Sequence, residues 1–88
     1  MDLMLATSKA GHDQKKVYVV IDEVEDYFIL ANGTTKTVAK PKKKKKIHLQ
    51  LIKNIPSDVL DEIKNITALD DISIKRILKS YNRRNKDV

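Results

Sequence analysis

Eighty-eight residues make one domain with a modest core, and a second core is not expected. The absence of cysteine excludes a disulfide framework and a thiolate metal site, so a reducing, cytoplasmic location is the expectation. The formal charge of +6 is gathered in two blocks, eight lysines and no acid from Lys36 to Lys53 and six bases against one acid from Lys75 to Val88, which is the footprint of a polyanionic partner.

The opening Met1-Asp2-Leu3-Met4-Leu5 has neither the basic start nor the long apolar region of a signal peptide. No apolar run approaches the ~20 residues of a membrane span, so neither secretion nor a membrane span is expected. Residues 3 to 8 are a candidate first strand. Val17 to Ile21, a β-branched run, predicts a strand buried on both faces, and Tyr27 to Ala31 predicts another. Between them Asp22-Glu23-Val24-Glu25-Asp26 is polar enough for an exposed reversal. Asn32-Gly33 is the strongest short hairpin signal, because both central residues of a tight turn need positive φ. It predicts a turn into a Thr-rich strand from Thr34 to Val38, with Pro41 ending any ladder for want of an amide hydrogen. The five consecutive lysines that follow, Lys42 to Lys46, repel one another and cannot enter a core, so they are expected in a surface loop. Ile47 to Ile52 then returns as one more edge strand. Four or five short strands with a basic loop before the last predict a closed or nearly closed small barrel.

Beyond Pro56 the apolar period changes from two to 3.6. Ser57 is the predicted N-cap of a first helix, with Asp58, Asp61 and Glu62 near the positive end of its dipole and Val59, Leu60, Ile63 and Ile66 on one face. A second helix opens at Asp70-Asp71 and places Ile74, Ile77, Leu78 and Tyr81 at i, i+3, i+4 and i+7. Lys75, Lys79, Arg83 and Lys86 fall on the opposite side, which reads most simply as the solvated face of a docked helix.

Ser8-Lys9-Ala10-Gly11-His12-Asp13, two lysines and then the strand Val17 to Ile21 resemble the KOW motif, a strand-loop-strand with a glycine in the loop. Together with Asn32-Gly33, Lys40-Pro41-Lys42-Lys43-Lys44 and His48-Leu49-Gln50, in that order, they resemble the small bacterial KOW-domain RNA-binding proteins, which are similar to KOW-type ribosomal proteins of archaeal and eukaryotic large subunits. Ile74 to Leu78 is similar to the tail helix of that group. The chain departs from the motif at His12 (arginine in the group), Gln14 (lysine) and Lys15 (glycine). The resemblance implies an α+β fold: a small SH3-like (KOW) β-barrel of 4–5 strands followed by two C-terminal helices. On that reading residues 1–53 form the KOW-like β-barrel domain and residues 54–88 a C-terminal helical hairpin. It also implies binding of structured RNA, ribosomal or ribosome-associated, with ribosomal proteins as further partners.

RNA is held by charge on its phosphates and read through shape or exposed bases. Phosphate contacts are expected from Lys9, Lys15 and Lys16 on the motif loop and from Lys40, Lys42, Lys43, Lys44, Lys45 and Lys46, with a barrel bringing the two groups to one end. Gly11 lets the backbone approach a phosphate, or serves only a positive φ, and His12 stands in the motif arginine's place. Tyr18, Tyr27 and Phe28 are expected in or beside the core rather than as stacking platforms, so recognition of structure rather than base sequence is expected. His12 and His48 have no ligand-pair spacing, Asp22 to Asp26 lacks the spacing of a calcium loop, and no nucleophile stands beside a base. Neither a cofactor, a metal nor an enzymatic activity is expected. Two classes compete: a protein-interaction module whose helices turn Ile74, Ile77 and Tyr81 to a partner, and a membrane-surface role of the polybasic run, opposed by the lack of a lipidation signal or apolar anchor and by Asp61, Asp70 and Asp71.

Overall fold

In the computed structural model, which describes residues 3–9 and 16–85 with side chains as far as Arg83, five strands form one antiparallel sheet and two helices follow it. The strands are β1 (Met4–Ser8), β2 (Val17–Val24), β3 (Tyr27–Ala31), β4 (Lys42–Lys45) and β5 (Leu49–Leu51), hydrogen-bonded in the order β4-β3-β2-β1-β5. The helices are α1 (Ser57–Asn65) and α2 (Asp71–Asn85). The α+β class therefore holds.

Strand alternation divides the apolar residues between two faces of the sheet. Leu5, Val19 and Ala31 point to one side and are sealed there by Val59 and Ile63 of α1 and Ile74, Ile77 and Leu78 of α2. Contrary to the single core expected from the chain's length, Ala6, Tyr18, Val20, Phe28, Leu30 and Leu49 form a second buried cluster made of strand residues alone, because the sheet is apolar on both faces. The helices share the first core with the sheet, so the apolar stripe of α2 is covered within the chain: Ile74 is 0% and Ile77 1% exposed. Each such side chain contributes about 1.5–3 kcal/mol by leaving water.

The sheet departs from the sequence expectations at its turns. β2 runs to Val24, so the reversal to β3 narrows to Glu25-Asp26, with Glu25 at a φ of 51°. A shift of register between Val20 and Asp22 accommodates one extra residue in β2. Asn32-Gly33 makes no hairpin, and Thr34 to Val38 forms no strand. Local side-chain bonds displace the ladder there: Asn32 Oδ1 accepts from the Thr34 and Lys36 amides at 3.0 and 2.9 Å and from the Thr34 hydroxyl at 3.2 Å. The Val38 amide donates to Asp71 Oδ1 at 2.9 Å, which ties the loop to the start of α2.

The strand expected at Thr34 to Val38 is supplied instead by the lysine run. Pro41 stands immediately before β4 rather than ending a ladder, a position that costs no interior hydrogen bond. Extended backbone suits the four adjacent lysines of β4 because it sends neighbouring side chains to opposite faces, the widest separation a regular structure gives them. One 3-10 turn, Lys46–His48, connects β4 to β5, so the returning strand is only Leu49–Leu51 of the predicted Ile47 to Ile52.

Both helices form where periodicity places them, with one change at a cap. The Pro56 carbonyl already accepts the Leu60 amide at 3.0 Å, so Pro56 is the N-cap of α1 and Ser57 its first helical residue, with no side-chain cap bond. At α2 the Asp70 carboxylate accepts the Ser73 amide at 2.8 Å, satisfying one of the free donors of the first turn. Hydrogen bonds from the Ser73 amide and then its hydroxyl, with Arg76 adding a smaller attraction, hold the Asp70 carboxyl below its ordinary value of 3.8. A lowered carboxyl value stabilises the fold above the unfolded value, and that contribution disappears as pH falls through the folded one. Asp70→Asn is accordingly expected to melt below the parent at neutral pH and together with it in strong acid, which thermal melts across that range would read.

Candidate nucleic-acid interface

Register against β3 decides what each lysine of the run does. Phe28 pairs with Lys44 and Leu30 with Lys42, so these two lysines share the face of the strand-only cluster. Their stems lie half-buried over it, with Lys42 Nζ 5.5 Å from the centre of the Tyr18 ring and Lys44 Nζ donating to Ser8 Oγ at 2.8 Å. Tyr27 pairs with Lys45 and Ile29 with Lys43, which sends Lys43 and Lys45 to the opposite face, where both are exposed. Lys43 Nζ lies 4.5 Å from the centre of the half-buried Tyr27 ring, a cation–π contact that holds the ammonium above the surface. Lys46, past the end of β4, lies over Phe28 at 5.1 Å and forms an ion pair with Glu23.

The other expected contacts are dispersed around this strand. Lys9 is exposed at the end of β1, and its amide donates to the His48 carbonyl at 3.0 Å. Because Lys44 bonds to the adjacent Ser8, that end of β1 and the run stand side by side. Lys40 is exposed ahead of β4, its amide donating to Thr37 Oγ1 at 3.1 Å. The far end of the run reaches the acidic β2–β3 turn, where the Lys46 amide donates to the Asp26 carbonyl at 2.8 Å. Gly11, His12 and Lys15 lie outside the described residues. Tyr18 and Phe28 are buried as expected.

Lys16 leads elsewhere. It is exposed just before β2 and lines an open cleft of about 740 Å³ together with Val17, Asn32 and Thr34 from the sheet side and Lys75, Leu78, Lys79, Asn82 and Arg83 from α2. Four of these residues are cationic and none is acidic. The basic face of α2, which periodicity presents as merely solvated, is thus opposed by Lys16 just before β2. Spacing of i, i+4 and i+8 marks Lys75, Lys79 and Arg83 as one row, but only the packing of α2 on the sheet supplies the opposite wall.

The geometry describes a small α+β protein with a half-buried lysine strand at one edge of its sheet and a second cationic surface along its last helix. Compared with known proteins, the chain matches no family model and no curated protein. Among the described residues no helix is long and apolar enough to cross a membrane.

Proposed function

We propose that this protein binds structured RNA, ribosomal or ribosome-associated, through the phosphate backbone and without catalysis, as a KOW-type module on an SH3-like barrel. The barrel reading is supported by a five-strand antiparallel order whose two edge strands are joined by one 3-10 turn, and by a buried cluster built from strand residues alone. The observation that carries the functional reading is the parity of the lysine run: Lys43 and Lys45 project from a paired strand beside Tyr27 while Lys42 and Lys44 anchor that strand over the core. Charges held on a sheet in this way lose less freedom on meeting phosphates than charges on a loose tail. With few exposed aromatic rings nearby, binding follows backbone shape, and ribosomal proteins are its natural neighbours on the same RNA. The interaction-module reading loses its surface, because Ile74 and Ile77 are already covered.

The experiment is a salt series comparing a structured ribosomal RNA fragment with duplex DNA. About four lysine–phosphate contacts give log K a slope near −3 to −4 against log salt, and the RNA is expected to bind more tightly throughout. Equal affinity for both would reduce the interaction to generic attraction for polyanions.

A further inference from the structure

We infer that the cleft between Lys16 and α2 is a second backbone-binding site, which takes successive phosphates of one RNA strand while β4 holds another part of the same molecule. The inference rests on the RNA-binding reading and extends it from Lys16, which the KOW resemblance already supplies, to Lys79 and Arg83 of α2, which it does not.

Three observations carry it. Lys75, Lys79 and Arg83 follow one another at four-residue steps, about 6 Å apart along the helix axis, comparable with the step between neighbouring phosphates of a strand. Lys16 adds a cation from the opposite wall, so an occupant is gripped from both sides. The cleft has apolar patches at Val17 and Leu78 and no carboxylate among the described residues that line it, and low-dielectric walls beside like charges concentrate the field in the opening. Charges in a row along one wall favour an extended polyanion over a compact acidic patch.

The two sites are separable by substitution. Lys79→Ala/Arg83→Ala alters only exposed side chains of α2, so circular dichroism and the melting temperature are expected to match the parent. Its affinity for the structured RNA fragment is expected to fall roughly tenfold near physiological salt, and its salt slope to flatten by about 1.5–2. Lys43→Ala/Lys45→Ala is expected to lose a similar factor, and the two losses to combine in the quadruple variant. If the parent binds RNA and the α2 variant binds equally well, the cleft is not a site while the β4 reading stands. If the parent binds no RNA, both fall together. A loss in the α2 variant that leaves the salt slope unchanged also overturns the inference, because a phosphate contact must release counterions.

Discussion

Gly33→Ala is expected to remove about 2–4 kcal/mol of folding stability, although the residue lies in a loop. Gly33 has a φ of +80°, where a side chain is strained, and an added Cβ would stand 2.7 Å from the Asp71 carbonyl oxygen and 2.8 Å from Lys75 Cγ. The lysine carbon can swing away. The carbonyl belongs to the first turn of α2 and cannot move without disturbing the helix start, where Asp71 also receives the Val38 amide. The 32–41 loop and α2 therefore separate or strain together. For a domain of this size the loss corresponds to a midpoint lower by about 10 °C or more, readable by thermal or urea melts. An unchanged midpoint would mean that the loop does not rest on the helix.

Substituting the lysine run by parity is expected to split binding from stability. In Lys43→Ala/Lys45→Ala, two exposed ammoniums leave the surface, and affinity for structured RNA falls by roughly one order of magnitude, while loss of the Lys43–Tyr27 contact costs about 0.5 kcal/mol of stability. In Lys42→Ala/Lys44→Ala, the stems that cover Tyr18 and the donor to Ser8 Oγ are lost, and the cost is about 1–2 kcal/mol of stability. Formal charge changes equally in both, so a simple charge-counting account predicts equal effects on binding. Equal losses of affinity from the two pairs, at matched stability, would return the run to the status of an undifferentiated basic tract.

Elements with a strong internal signal were legible from the residues alone. The β-branched run at Val17, the apolar run from Tyr27 and the 3.6-residue stripe Ile74, Ile77, Leu78, Tyr81 each announce their own conformation, and each forms. Asn32-Gly33 misled because its signal is chemical rather than topological. Positive φ is needed there, but for the close approach of α2, a contact between residues about forty apart. The lysine run misled for the opposite reason: composition argues for a loop, and only pairing with β3 makes the extended form pay. Of the candidate site, the residue types were legible and their roles were not. Exposure at Lys43 and Lys45 and anchoring at Lys42 and Lys44 depend on a register that one slipped residue would invert. The cleft joins the start of β2, the loop after β3 and α2, which no local pattern connects.

β4 occupies a border of the sheet, and a border strand is where a second copy of a protein most readily adds itself. Here any newcomer would have to lay its own row of ammonium groups alongside the first. That row of like charges thus guards the edge against stacking into fibres, and the guard is strongest when no polyanion compensates it.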